Sequence, residues 1–217
     1  MSKTITVDVV SDVVCPWCYI GKRKLEAALR DMPDVEVRWR PYQLDPTIPA
    51  GGLDRKAYMD KKFGAERYKE IAARIAVAGA SEGIAFAFEK IAVSPNTLDA
   101  HRLIRWAASA GKQGEVKERL MQLYFTQGGD IGDRAVLVAV AEAAGMDGAT
   151  VAKLLDDGSD IDAVREEIAM AQQMGVTGVP FFIFNGKVAV SGAQPPEVLR
   201  DALRQSMAAA DLEGNRR

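Results

Sequence analysis

Two cysteines in the run Cys15-Pro16-Trp17-Cys18 stand where a strand pattern gives way to a helical one, and the chain has no others. Upstream, Thr4 to Val10 alternates, with Ile5, Val7 and Val9 on one face and Thr6 and Asp8 on the other. That alternation marks a half-buried strand. A short loop, Ser11-Asp12-Val13-Val14, leads into the cysteines. Beyond them Cys18, Gly21, Leu25, Ala28, Leu29 and Met32 recur at helical spacing and form an inner face. Pro33-Asp34 breaks this helix, after which Val35, Val37 and Trp39 alternate with Glu36, Arg38 and Arg40 as a second strand. The segment reads as a βαβ unit with Cys15 at the start of its crossover helix.

From Pro41 to Gly52 the pattern becomes a loop rich in proline and glycine, and a long helical block follows. Tyr68, Ile71, Ala72 and Ile75 mark one helix. Asn96-Thr97-Leu98-Asp99 resembles a capping box opening a second, which runs to Gly111. Val116, Leu120, Leu123 and Tyr124 mark a third, and Asp133 caps a fourth that Gly145 ends. Val151, Leu154 and Leu155 mark a short fifth. Val164, Ile168 and Ala171 mark a sixth ending near Gly175. Phe181 to Phe184 and Lys187 to Val190 flank Asn185-Gly186, the strongest short hairpin signal. Pro195 and Pro196 begin a last helix with Val198, Leu199, Ala202 and Leu203 inward, and the polar tail from Asp211 is expected to fray. With the helical block set aside, βαβ plus ββα remains, a thioredoxin-like arrangement. The expected fold is therefore α/β, a thioredoxin-like fold with an inserted all-helical domain. Residues 1–52 and 172–217 form the discontinuous thioredoxin-like domain and 53–171 the insertion.

Only a thiolate attacks a disulfide, and a helix N-terminus favours negative charge through its unpaired N–H groups and its dipole. Cys15 stands at such a terminus, with Pro16 in the position proline favours at a helix start. Cys18, one turn on, lies on the inner face and is expected to be the less exposed. These positions assign Cys15 as the attacking thiol and Cys18 as the resolving one. A zinc site needs four ligands, and this chain has no second cysteine pair and one histidine, His101, so no metal is expected. Val179-Pro180 comes just before a strand, where proline need not donate to the ladder. Paired with the upstream cysteines, it reads as a cis bond presenting the backbone of Val179 to an extended substrate. His101 is read as a packing histidine bonded to a nearby backbone group, and Asn96 as a helix cap.

The compartment matters because cytoplasmic proteins rarely hold structural disulfides. The start, Met1-Ser2-Lys3-Thr4-Ile5, lacks the charged and apolar regions of a secretory signal, which points to the cytoplasm. No apolar run is long enough to span a bilayer. A formal net charge of −2 gives no field that would draw nucleic acid or an anionic membrane. The basic run Lys22-Arg23-Lys24 reads as a solvated helix face.

Several segments together resemble one family. Ser11 to Lys22 resembles the active site of cytoplasmic DsbA-family proteins of the FrnE-like group, and Val176-Thr177-Gly178-Val179-Pro180-Phe181-Phe182 its cis-proline loop. Ser191-Gly192-Ala193-Gln194-Pro195 resembles the turn before its last helix, and Arg40-Pro41-Tyr42-Gln43-Leu44-Asp45-Pro46 the exit from its second strand. Asn96-Thr97 and Ala100-His101-Arg102 resemble a signature of its helical insert. The resemblance covers nearly the whole chain in order. It implies a site lined by Cys15, Pro16, Trp17, Cys18, Val179 and Pro180. Related glutathione-dependent isomerases of hydroxychromene carboxylates and kappa-class glutathione transferases carry serine where this chain has Cys15, and generally lack the second cysteine.

The expected activity is that of a thiol–disulfide oxidoreductase acting on polypeptide or small-molecule thiols and disulfides. It has no bound cofactor, with glutathione as a candidate co-substrate. The alternative is a glutathione-dependent transferase or isomerase using Cys15 alone. A third reading is a binding protein in which the cysteines serve only as a redox switch. The insert is expected to roof the cysteines, with Phe86, Phe88 and Trp106 as candidate walls.

Overall fold

The computed structural model describes residues 4–32 and 34–214. Strand β1 (Ile5–Ser11) pairs in parallel with β2 (Val35–Pro41), from Ile5 opposite Val35 to Ser11 opposite Pro41. Helix α1 (Pro16–Leu29) is the crossover between them. There follow β3 (Leu53–Asp54), α2 (Arg55–Phe63), α3 (Ala65–Ala80), β4 (Val93–Ser94), α4 (Leu98–Ser109) and α5 (Gln113–Gln122). The chain continues through α6 (Arg134–Ala143), α7 (Gly148–Asp156), α8 (Ile161–Gln173), β5 (Phe181–Phe184), β6 (Val188–Ser191) and α9 (Pro196–Gly214). The main sheet has the order β2-β1-β5-β6, with β5 antiparallel to both neighbours. This is an α/β thioredoxin-like fold carrying a helical insert.

β1 is central and covered on both faces. Val7 and Val9 join the main core with Cys18, Leu25 and Phe182, while Val10 packs with Tyr42, Ala171 and Val176 on the other side. The polar alternation of this strand survives at Asp8, which accepts a bond from Arg40 at 2.7 Å. At the hairpin, Asn185 and Gly186 adopt φ of 51° and 64°, the left-handed pair a two-residue turn requires. Asn185 also bonds the Thr6 N–H through Oδ1 at 2.9 Å and Ser206 Oγ through Nδ2, tying the hairpin to β1 and α9.

Several expectations are corrected. The β3–β4 pair and α2 had no signal in the apolar periodicity, because both are short and largely exposed. The capping box does not form: Thr97 makes no side-chain cap bond, and Asp99 pairs with Arg102 and Arg134 instead. The reading of Asn96 as a helix cap does hold, since its Oδ1 accepts the Leu98 N–H at 2.9 Å, and it also binds the 41–52 loop, donating to Ile48 O and accepting from Gln43. Lys22 is buried rather than solvated, because it lies one turn from Cys18 on the inner face, and it pairs with Glu26 and with Glu118. Val198 is 41% exposed, and the inner face of α9 is Leu199, Ala202, Leu203 and Ser206. The expected frayed tail is helical through Gly214. Pro33, Met1-Ser2-Lys3 and residues 215–217 lie outside the described residues.

Gly21 is the point where α1 meets the Pro180 loop. A Cβ there would stand 2.9 Å from Pro180 Cγ and 3.2 Å from the ζ carbon of Phe182, both held in the packed interior. Gly21→Val should therefore cost about 1–3 kcal/mol through overpacking, read as a lowered urea midpoint with unchanged slope. An unaltered midpoint would show that the contact is not tight.

Candidate active site

The loop from β1 delivers Cys15 to the N-cap of α1, with extended backbone at φ −92° and ψ 111°. Pro16 follows at the first helical position, where its missing N–H costs nothing. The Cys15 sulfur accepts the backbone N–H of Cys18 at 3.3 Å. A sulfur thus occupies the place that a serine or aspartate oxygen takes at an ordinary helix start. Its own S–H points at Val179 O, 3.7 Å away. Loss of the thiol proton removes the second bond and strengthens the first, since a thiolate is the better acceptor.

Both cysteines are free thiols. Cys15 is 4% exposed and Cys18 1%, so the expected contrast in exposure is small. The difference lies in what each faces. Cys15 lines an open cleft of about 390 Å³, and Cys18 does not. Burial pushes the Cys18 thiol well above its ordinary range, and the neighbouring Cys15 sulfur pushes it further the same way. A buried amine, Lys117, opposes both.

The Val179–Pro180 bond is cis. Pro180 is buried, its carbonyl accepts the Gly192 N–H at 2.8 Å, and Gly178 and Val179 form part of the cleft wall. Trp17 is exposed at the rim and Pro16 half-buried, both lining the same cleft. Of the aromatic side chains expected to roof the cysteines, Phe88 does line it. Phe86 packs behind, stacked on Phe88 at 5.0 Å and edge-on to Phe125. Trp106 is elsewhere: it donates to Asp160 at 2.7 Å and borders a separate cavity.

That second cavity, of about 430 Å³, reaches Trp39, His101 and Lys117. His101 Nε2 lies 2.9 Å from Tyr42 O and 3.2 Å from Asp12 Oδ1. Both partners are acceptors, so Nε2 carries the hydrogen. The backbone partner expected for His101 is Tyr42, and the contact with buried Asp12 was not foreseen. Asp12 also accepts the Leu44 N–H at 2.8 Å. Lys117 is 1% exposed, with its amine 5.0 Å from the centre of the Trp39 ring. Among the described residues no cluster of His, Cys, Asp or Glu could hold a metal.

Asp12 and Lys117 were missed as site residues. For Lys117 a signal existed, because Leu120, Met121 and Tyr124 follow it at helical spacing and all are buried. A charged residue on an apolar stripe is the informative exception.

The DSBA-like thioredoxin domain profile matches residues 6–204. The uncharacterised protein YwbO of Bacillus subtilis is 30% identical over 202 residues, 92% of this chain and 96% of that one. Among solved structures, a probable DsbA oxidoreductase of Streptomyces coelicolor is 32% identical, with a TM-score of 0.86 over 94% of this chain and 90% of that one. The cytosolic disulfide reductase DsbM of Pseudomonas aeruginosa, solved with GSH, shares the fold at 18% identity, with a TM-score of 0.59 over 97% and 99% of the two chains. Among the described residues no helix is long and apolar enough to cross a membrane.

Burial lowers the Lys117 amine from 10.5 to about 8, although Cys18, Asp12 and Cys15 each pull it back up. Its folded value lies below the unfolded one, so the native state binds fewer protons between the two and gains stability as pH rises through that window. The penalty is fully present below about pH 8. Lys117→Met should therefore be the more stable protein at pH 7, by an advantage on the order of 3 kcal/mol before its lost ring contact is counted. That advantage should shrink between pH 8 and pH 10.5. Urea midpoints of both proteins across the window test this, and a constant difference would refute it.

Proposed function

This chain belongs to the DSBA-like thioredoxin domain family, and from that premise we propose that it is a thiol–disulfide oxidoreductase working through Cys15 and Cys18. The observation that carries the reading is the Cys15 sulfur at the N-cap of α1, accepting the Cys18 N–H at 3.3 Å and bordering an open cleft. A developing thiolate is favoured there by a fixed N–H donor and by the helix dipole.

The exchange has two steps. The Cys15 thiolate attacks one sulfur of a substrate disulfide, forming a mixed disulfide and expelling the other sulfur as a thiolate that takes up a proton. Cys18 then loses its proton and attacks Cys15, closing the Cys15–Cys18 disulfide and releasing the second substrate thiolate. The substrate gains two electrons and the enzyme pair loses them, and the reverse sequence oxidises a dithiol. Lys117 supports the second step, because it is the buried cation that lowers the Cys18 thiol against burial. Val179, beside Cys15, supplies backbone for a bound peptide, while the cleft walls suit a small apolar disulfide equally. Glutathione is proposed as a co-substrate and the cytoplasm as the setting. The DsbM structure with GSH, a neighbour in fold alone, is consistent with both.

Cys18→Ser keeps the attacking thiol and removes the resolving one, so mixed disulfides should accumulate on Cys15 and be seen by mass after acid quench. Cys15→Ser should prevent adducts altogether, because Cys18 does not reach the cleft. Iodoacetamide should label Cys15 far faster than Cys18 at pH 7. Full turnover by Cys18→Ser would replace this reading with a glutathione-dependent transferase or isomerase using Cys15 alone.

A further inference from the structure

Two arginines are buried among the described residues, and their surroundings differ. Arg102 is met by acceptors on every side: Asp99 at 2.7 Å, Ser159 O at 2.6 Å, and the carbonyls of Leu155 and Leu154. Arg55, 9% exposed, has no carboxylate and no carbonyl. Its Nη1 donates to Tyr124 Oη at 3.1 Å and to Ser94 Oγ at 3.4 Å, and its Nη2 donates to Tyr68 Oη at 3.1 Å. Its Nε is buried without a hydrogen-bond partner among the described residues. Leaving a guanidinium donor unmet in the interior costs free energy that natural cores avoid.

The three hydroxyls deepen the imbalance. Each spends a lone pair on Arg55, and none has an acceptor for its own hydrogen among the described residues. Burial keeps Tyr124 protonated, its hydroxyl pushed up to about 12 although Arg55 pulls it down. The cluster therefore carries more hydrogens than acceptors: the three hydroxyl oxygens each accept from Arg55, while its Nε–H and the hydroxyl hydrogens have no acceptor among the described residues.

Nearby carboxylates are engaged elsewhere. Asp54 caps α2 at the Ala57 N–H, Asp45 binds Thr47 and Tyr58, and Asp12 binds Leu44 and His101. Arg55, Tyr68, Tyr124 and Ser94 all line the cleft that holds Cys15. The rest of that wall is largely apolar, including Leu44, Ile48, Met59, Ile71, Ile75 and Phe88. A volume of about 390 Å³ suits a small organic molecule.

We propose that Arg55, with Tyr68, Tyr124 and Ser94, binds a carboxylate carried by a small, apolar thiol or disulfide whose sulfur is presented to Cys15 in the same cleft. The anion supplies the missing acceptor, and its apolar body displaces water from the cleft walls. This rests on Cys15 as the attacking thiol for its account of the sulfur, but the carboxylate site can be tested without that chemistry.

Benzoate and benzamide are matched in size and differ in charge, and NMR titration of the unaltered reduced protein compares them directly. Benzoate should bind at least about tenfold more tightly, as charge-assisted hydrogen bonds require. Arg55→Gln should abolish that preference and Arg55→Lys should retain part of it. Equal binding of the two probes to the unaltered protein, or a preference that persists in Arg55→Gln, would overturn the proposal. Because the first comparison needs no variant, misfolding of Arg55→Gln cannot hide the answer.

A second pair of probes reads the same site through the cysteines. 5,5′-Dithiobis(2-nitrobenzoate) carries carboxylates and 4,4′-dithiodipyridine carries none, and each releases a product that is followed by its absorbance, in the visible for the first and in the near ultraviolet for the second. Arg55→Gln should slow the first by about tenfold or more and the second by no more than about twofold. Equal slowing of both would contradict the proposal. If neither probe oxidises the unaltered protein, the disulfide-exchange reading fails while the benzoate result still decides the carboxylate site.

Discussion

The structure depends on one donor in the first turn of α1, the Cys18 N–H, which Cys15 O at 3.0 Å and Cys15 Sγ at 3.3 Å share. Every helix leaves its first N–H donors without partners, and here a sulfur caps one of them. The cap fixes the Cys15 side chain, because the bond to Cys18 and the contact with Val179 O hold its sulfur between α1 and the Pro180 loop. That loop can approach only because Gly21, one turn into the helix, has no side chain. The parallel pairing of β1 with β2 demands a crossover, and the crossover's first turn becomes the site. Reactive position and fold topology are thus one constraint.

The helical insert is fastened to the same helix. Tyr19 stacks on Phe125 and meets Phe86 edge-on, while its hydroxyl donates to Glu118 at 2.7 Å. Lys22 and Arg23 also pair with Glu118, on α5. Burial alone would raise the Glu118 carboxyl, but Lys22, Tyr19 and Arg23 outweigh it and hold the pKa below the usual value. The charges that look solvated in the sequence therefore join insert to core. A shift of α5 relative to α1 would break these three polar contacts to Glu118 together.

Much of this was legible in the sequence. The alternation of Val7 and Val9, the Asn185-Gly186 turn and the cysteine placement each rest on short-range periodicity, and each describes what the chain does locally. The short α2 and the β3–β4 pair were not legible, since strands of two residues are too short to show an alternation. The partners of His101 and Asn96 were equally hidden, because Asp12, Tyr42, Gln43 and Ile48 come to them from distant segments. Wall assignments failed in part for the same reason. Phe88 and Trp106 look alike as aromatic residues in the insert, and only tertiary packing sends one to the cleft and the other to a separate cavity. Lys22 and Lys117 stand differently: their helical spacing from buried neighbours was readable, but Lys22 was read as part of a solvated face and Lys117 was not singled out.

Buried charge separates what holds this protein together from what gives its cleft its character. Lys22 is paired with carboxylates and Arg102 is surrounded by acceptors, so each recovers much of its desolvation cost within the structure. Lys117 and Arg55 recover less. Lys117 has a ring face and no ion pair within 4.0 Å among the described residues, and its lowered amine shows burial prevailing over the pull of Asp12 and the sulfurs. Arg55 has three hydroxyls and the Tyr68 and Tyr124 rings, whose centres are 5.8 and 5.9 Å from its Cζ, but no carboxylate hydrogen-bonded to it among the described residues. Both cations are close to the cysteine site, Lys117 among the charges acting on Cys18 and Arg55 on the cleft wall beside Cys15. A chain of net charge −2 thus places its two least compensated buried cations beside the cysteine pair. Such positions cost stability when unpaired, and negative charge arriving on sulfur or on a ligand would offset that cost.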